Sequence, residues 1–344
     1  MDADDEPMTD QARVDGVHMR SAMEEAAAAR CRTSPNPWVG AVVVADGEVV
    51  GAGATSPPGG SHAEVVALAA AGGEARGATL YATLEPCCHT GRTGPCTTAI
   101  LEAGVGRVVV GIVDPDPEVA GRGLTVLEEA GLDVEVGVEA DAIAAQLEPY
   151  LHHRRTGRPY VVLKLAATLD GRIAAPDGTS AWITGAEARI DVHRLRAESN
   201  AVCVGAGTVR ADDPELTVRD WPGAGDAGAH DPRRIVLGVV PEGARVRPAV
   251  AHDGSLDDLL DDLGADGVLQ LLIEGGADVA GRFHRAGLVD RYVVYLAPAI
   301  LGGDDGRPLF AGPGGPTMAD LRRGRFAAVT ALGDDLRLDL VLDG

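Results

Sequence analysis

The sequence predicts an α/β protein built as two layered domains, and three observations carry that expectation. Strand-like and helix-like segments alternate along nearly the whole chain. At 344 residues it is long enough for two domains of ordinary size, each with its own core. Near residue 157 a helical run passes into a basic, Gly/Pro-containing joint, and a fresh apolar strand opens beyond it. The expected division is an acidic tail over 1–14, a first domain over 15–156 and a second over 157–344.

The elements follow in order. DGVHMRSAMEEAAAARCR, residues 15–32, reads as an Ala-rich helix. WVGAVVVADGEVVGAG gives two strands around Asp46-Gly47, a strong hairpin signal. HAEVVALAAAGG reads as a helix closed by its glycines. ATLYATL is a strand, TTAILEAGV a helix, RVVVGIV a strand, and GRGLTVLEEAGLDVEVGV a helix followed by a strand. DAIAAQLEPYLHHRRTGRP reads as one helix running into the joint. The second half opens with the strand YVVLKLAATL and a helix near 186–198. Strands AVCVG, RRIVLGVV and VLQLLIEGG follow, then the helix DVAGRFHRAG and the strands DRYVVYLAPAI and LRLDLVLDG. RDWPGAGDAGAHDP reads as a surface loop.

Composition narrows the function. A hydrophobic content of 45% and a charged content of 24% belong to a soluble globular chain. The net charge of −22, with no Lys/Arg run, repels a phosphate backbone and argues against nucleic acid as a partner. Small phosphorylated substrates stay open, since two or three arginines in one pocket suffice. Neither an apolar stretch of membrane-spanning length nor a signal-like start is found, so no membrane partner is expected. Three of the five cysteines fall between Cys87 and Cys96, which suits a metal site in a reducing compartment, the cytoplasm.

The strongest chemistry lies in S-H-A-E followed by L-E-P-C-C-H-T-G-R-T-G-P-C. Catalytic zinc takes three protein ligands from His and Cys and keeps a fourth position for water, a count that His62, Cys87 and Cys96 supply. Zinc brings the pKa of that water to about 7. A carboxylate must then relay protons to the leaving amine, and Glu64 sits two residues from His62. Residues two apart do not share a face of a regular helix, so H-A-E alone does not bring both groups to one point. H-x-E with a later P-C and a second Cys is the mark of zinc nucleobase deaminases, here with eight residues between the cysteines instead of two. Cys88 reads as the extra thiol, because Cys87 directly follows the proline.

With the long cysteine spacing, Pro35-Asn36-Pro37 and DPDPEVAGRG at 114–123, the first half resembles the deaminase of the bifunctional riboflavin-biosynthesis deaminase/reductase family. KLAATLDGRIA, SAWIT, HRLRAESNAV, GTVRADDPELTVR, LLIEGGADVAG and LAPAILGG make the second half similar to that family's reductase. The resemblance spans roughly residues 16 to 343 and implies a cytidine-deaminase-like three-layer domain followed by a dihydrofolate-reductase-like domain. It implies Zn2+ and NADPH as cofactors, and pyrimidine ribotides as small-molecule substrates. The 2-amino group of 2,5-diamino-6-ribosylamino-4(3H)-pyrimidinone 5′-phosphate is hydrolysed first, and the ribosyl group is then reduced to ribityl. A homo-oligomer is expected.

The resemblance also implies residue roles. Asn36 and His89 contact the pyrimidine or its phosphate, although on the residues alone Asn36 reads equally as a turn and His89 as a loop residue. Lys164, Ser180, Arg196, Leu216, Arg219 and Glu274 contact substrate in the second half. Ala166, Trp182, Thr208, Asp212, Gly275 and Gly276 contact NADP. Arg196 and Arg219 are suited to bidentate phosphate binding, and the helix behind Gly276 can offer N–H groups to a cofactor phosphate. VGAGTVR lacks the third glycine of a dinucleotide loop. Two departures stand out. Gly94 replaces a usual proline, and 239–267 looks shorter by about a strand, in a region that borders the cofactor. Two other readings stay open: an active deaminase whose second half only binds ligand or builds a dimer, and a deaminase of cytosine nucleosides or tRNA adenosine.

Overall fold

Asp46 and Gly47, both at positive φ, reverse the chain between β1 (Gly40–Ala45) and β2 (Glu48–Ala54), as an Asp-Gly pair dictates. The structure is a computed structural model and describes residues 9–90, 94–222 and 231–343. The acidic stretch 1–8, the GRT segment at 91–93, the loop portion 223–230 and Gly344 lie outside the described residues. The chain divides into two units, Met1–Thr156 and Gly157–Gly344.

In unit 1, α1 spans Asp10–Ala29 and so begins five residues ahead of its expected start at 15. Thr9 is the reason: its hydroxyl accepts the Ala12 N–H at 3.1 Å and caps the helix. After the hairpin come α2 (Ala63–Ala71), β3 (Thr79–Leu84), α3 (Cys96–Ala103), β4 (Arg107–Ile112), α4 (Arg122–Glu129) and β5 (Asp133–Val136). The single helix expected next is two, α5 (Ala140–Gln146) and α6 (Glu148–Thr156). Pro149 explains the break, since it has no N–H to give the preceding turn and its ring crowds that turn's carbonyl.

The unit 1 sheet runs β2-β1-β3-β4-β5, antiparallel about β1 and parallel from β3 onward. Its helices sit on both faces. A Cβ on Gly40 would meet the Ala22 carbonyl of α1 at 1.9 Å, and one on Gly51 would meet the Ala67 carbonyl of α2 at 2.3 Å. Gly51 pairs with Val43, whose parity along β1 is opposite to that of Gly40, so the two helices approach from opposite sides. The Ala/Gly-rich composition therefore has a structural use: helix backbone lies directly on strand backbone in a three-layer stack. One buried ion pair ties the layers. Asp15 of α1, fully buried, accepts from the Arg107 guanidinium at 2.8 and 2.9 Å and from the Tyr81 hydroxyl at 2.7 Å.

Unit 2 contains β6 (Tyr160–Thr168), β7 (Arg172–Ala174), α7 (Ala186–Ala197), β8 (Ala201–Gly205), α8 (Ala206–Asp212), β9 (Arg233–Leu237) and β10 (Val250–His252). These are followed by α9 (Leu256–Ala265), β11 (Gln270–Ile273), α10 (Ala277–Ala286), β12 (Arg291–Ala297), β13 (Arg307–Pro308), β14 (Gly324–Leu332) and β15 (Asp335–Leu342). The main sheet is β10-β9-β8-β11-β6-β12-β15-β14, six parallel strands closed by an antiparallel hairpin. Alternate strand residues feed two cores. Leu163, Cys203 and Leu271 pack on one face with Leu259 and Phe283, while Val162, Val202 and Leu272 pack on the other with Ala188 and Leu195.

The stretch 239–267, expected to be short of a strand, carries both a strand and a helix. β10 pairs parallel with β9 from Val250 to His252, and α9 follows under a Ser255 cap. β10 is only three residues long, which hides it from a periodicity argument.

Acid should weaken the Asp15 tie in a defined direction. Burial lifts its pKa, but the bonds from Arg107, Tyr81 and Gln11 outweigh burial and hold it below 3.8. Its contribution is full above the unfolded pKa and is lost as pH falls through the lower folded value. Asp15→Asn should therefore cost unit 1 about 2–3 kcal/mol at pH 7 in urea unfolding, and distinctly less near pH 3.

Candidate functional site

In unit 1, His62 is the N-cap of α2, with extended backbone (φ −73°, ψ 163°), and Glu64 lies in the first helical turn. This resolves the two-residue spacing. A cap residue lies off the helical screw, so its imidazole and the carboxyl of Glu64 reach one cavity. Cys87 follows β3, and Cys96 is the first residue of α3. His62 Nδ1 lies 3.2 Å from Cys96 Sγ and 3.5 Å from Cys87 Sγ, and the two sulfurs are 3.5 Å apart. A tetrahedral cation with bonds of about 2.0–2.3 Å needs ligand–ligand edges of about 3.5 Å, so this donor set fits zinc. Among the described residues it is the group that could hold a metal ion.

The electrostatics are those of a crowded, partly dry site. Burial pushes the Glu64 carboxyl up to about 7. The hydrogen bond with Cys96 holds the Cys87 thiol down to about 4, and the same contact pushes Cys96 up. The hydrogen bond with Cys87 raises His62.

A cavity of about 340 Å³ opens in front of this triangle. His62, Glu64, Cys87, Asn36 and His89 all line it, whereas Cys96 is fully buried behind it. His89 Nδ1 is buried and has no hydrogen-bond partner among the described residues, as a group awaiting a ligand would. Asn36 also closes a turn, its N–H donating to the Thr33 carbonyl at 2.9 Å. The expected extra thiol, Cys88, belongs neither to the triangle nor to the cavity lining. Among the lining residues given no role from the sequence are Glu85, Asp114, Asp116, Tyr150 and Arg154. Asp114 lay within a motif already noted, but Tyr150 and Arg154 sit on a helix read only as a joint.

Unit 2 holds a larger cavity, of about 1070 Å³. All twelve residues assigned to substrate or cofactor by resemblance line it, from Lys164 and Ala166 on β6 to Glu274, Gly275 and Gly276 after β11. The two arginines differ from expectation. Arg196 spends its fork on Glu274, with bonds at 2.5 and 2.8 Å, and also donates to the Thr217 carbonyl at 3.2 Å, so it is not a free phosphate clamp. Arg219 is about half exposed, its side chain 48% accessible, and its guanidinium meets Glu215, Asp220 and the Thr217 hydroxyl. Burial raises Glu274 but Arg196 pulls it lower, leaving it ionised, while burial lowers the Lys164 ammonium against the pull of Glu274. Gly276 begins α10 with no side-chain cap, so the helix start suits a nucleotide phosphate. His193, missed in the sequence, is buried at the cavity with its Nδ1 3.1 Å from the Thr217 carbonyl and 3.2 Å from the Arg219 nitrogen.

Comparison with known proteins assigns each half. Residues 13–112 match the cytidine and deoxycytidylate deaminase zinc-binding region, and residues 159–338 match the RibD C-terminal domain. The chain is 41% identical over 365 residues to the riboflavin biosynthesis protein RibD of Escherichia coli strain K12, covering 95% of this chain and 99% of that one. Its structure is similar to Acinetobacter baumannii RibD, form 1, with TM-score 0.91 and 38% identity over 97% of this chain and 100% of that one. It is also similar to the diaminohydroxyphosphoribosylaminopyrimidine deaminase/5-amino-6-(5-phosphoribosylamino)uracil reductase of Thermotoga maritima, with TM-score 0.86, 32% identity and coverage of 97% and 100%.

The donor triangle sets an expectation for metal content. Cys96→Ser should lose stoichiometric zinc by elemental analysis, while Cys88→Ser should keep one zinc per chain. Zinc lost from the second variant would move the ligand from Cys87 to its neighbour.

Proposed function

This chain belongs to the RibD family of riboflavin-biosynthesis proteins, and on that premise we propose which of its residues carry two successive reactions on one pyrimidine ribotide. The first is hydrolytic deamination of 2,5-diamino-6-ribosylamino-4(3H)-pyrimidinone 5′-phosphate. The second is NADPH-dependent reduction of the ribosyl group to ribityl. The observation that carries the first is the convergence of His62, Cys87 and Cys96 within 3.5 Å, with Glu64 in the same cavity.

His62, Cys87 and Cys96 would hold zinc, which would supply a water acidic enough to serve as nucleophile at neutral pH. Glu64 takes the proton from the attacking water and returns one to the leaving amine, so that water and the aminopyrimidine become the oxo product and ammonia. Asn36 and His89 orient the ring, and the otherwise unpartnered His89 Nδ1 is available for that contact.

In unit 2, bound NADPH supplies the hydride. Ala166, Trp182, Thr208, Asp212 and the Gly275-Gly276 turn line its place, and Ser180 and Leu216 wall the substrate side. Arg219, the more exposed of the two arginines, and Lys164 bind the ribotide phosphate, while Glu274, held ionised by Arg196, anchors sugar hydroxyls. The reading in which this half only binds a ligand or builds a dimer is not favoured, because residues 159–338 match the RibD C-terminal domain.

A homo-oligomer through β14 is part of the proposal. That edge strand leaves Phe326 and Val329 more than half exposed, at 59% and 58%. Among the described residues no helix is long and apolar enough to cross a membrane, and the described cysteines are all free, which suits the cytoplasm.

Three measurements test these assignments. Glu64→Gln should keep zinc and fold while deamination falls about a thousandfold or more; near-normal ammonia release would remove the proton-relay role. Purified protein given the deaminated intermediate should oxidise NADPH faster than NADH, and no oxidation of either would remove the reductase assignment. Sedimentation should give a species heavier than one chain, reduced to a monomer by Phe326→Glu.

A further inference from the structure

We propose that Glu85 is a positioning residue of the deaminase site, a carboxylate clamp that locks one wall of the substrate cavity to the turn carrying Cys87. The proposal rests on the deaminase reading of unit 1. Glu85 is 4% exposed at the end of β3, two residues before Cys87. Its Oε2 accepts the backbone N–H groups of Asp114 at 3.2 Å and Gly121 at 2.9 Å. Its Oε1 accepts those of Gly123 at 2.9 Å and Leu124 at 3.4 Å.

These donors come from the loop after β4 and from the first turn of α4. Gly121, the N-cap of α4, has no side chain to cap it. Glu85 therefore does that work from another strand, and its charge suits the positive end of the helix. The contact is close on every side: a Cβ on Gly123 would stand 2.0 Å from the Pro86 carbonyl oxygen and 3.1 Å from Glu85 Oε1.

Between its two fastened ends the loop supplies Asp114, Asp116 and Val119 to the cavity that His62, Glu64 and Cys87 also line. Asp114 is held a second time, its carboxylate accepting the Tyr150 hydroxyl at 3.0 and 3.1 Å and the Asp116 N–H at 2.9 Å. The wall and the Cys87 turn thus move as one piece. A carboxamide cannot replace the clamp, because its NH2 would face N–H donors.

Glu85→Gln in the zinc-loaded full chain tests this. Substrate KM for ammonia release should rise about tenfold or more with kcat within about threefold, since the wall positions substrate and the relay group is untouched. Zinc should stay at one per chain and NADPH oxidation by unit 2 should be unchanged. Amide exchange should quicken over 114–124 and not over α2. Unchanged KM with unchanged exchange overturns the clamp; so does loss of zinc or of kcat at constant KM, which would assign Glu85 to the metal turn alone. If Glu85→Gln does not accumulate folded, Gly123→Ala, which drives a methyl into the Pro86 carbonyl, carries the same pair of outcomes. A wild-type enzyme that released no ammonia would defeat the deaminase reading instead, and the exchange comparison would still decide the clamp.

Discussion

In a parallel strand–helix–strand unit each strand ends, and the next helix begins, at the same edge of the sheet. Both cavities of this chain are built on that constraint. β3 ends in the turn that carries Glu85 and Cys87, and α3 then begins at Cys96. β11 ends at Ile273, and Glu274, Gly275 and Gly276 lead directly into α10. Strand ends contribute side chains, helix starts contribute unpaired N–H groups and a positive dipole end, and chemistry that handles anions or thiolates collects there.

The charge distribution follows the same geometry. A chain of net charge −22 nevertheless gathers Lys164, Arg196 and Arg219 around one cavity. The price of burying Arg196 is met by Glu274, which leaves a neutral pair at the cavity. Unit 1 solves the opposite problem. Its cavity is rich in carboxylates, among them Glu64, Glu85 and Asp114, and two of these are already turned inward to hold backbone.

Much of the architecture was legible because short-range chemistry decided it. Asp46-Gly47 makes its hairpin whatever surrounds it, and His62, Glu64, Cys87 and Cys96 carry a spacing that few other functions share. Elements set by tertiary context were not. α9 was missed although Leu256, Leu259, Leu260 and Leu263 repeat with helical spacing behind a Ser255 cap, because the stretch was compared with the family for its length and not tested for periodicity. β14 leaves nearly every residue exposed and so has no alternation to detect. The α5–α6 break lay in plain view at Pro149. The second cavity was reached only through resemblance, since nothing in the spacing of Lys164, Arg196 and Glu274 says that their strands and helix are neighbours. The same holds for Glu85, whose four partners lie 29 to 39 residues away.

Two of the three tryptophans, Trp38 and Trp182, give each half an optical label. Trp38 is 4% exposed in unit 1 beneath the Arg30 guanidinium, whereas Trp182 is 78% exposed at the unit 2 cavity with Arg189 stacked 4.8 Å from its ring. An indole in a dry environment emits toward the blue and one in water toward the red. With Trp221, the half-buried third tryptophan, replaced by Phe, the red-edge emission would therefore watch ligands enter the second cavity, while the blue edge follows the integrity of the first unit, and both can be read from one sample without an added dye.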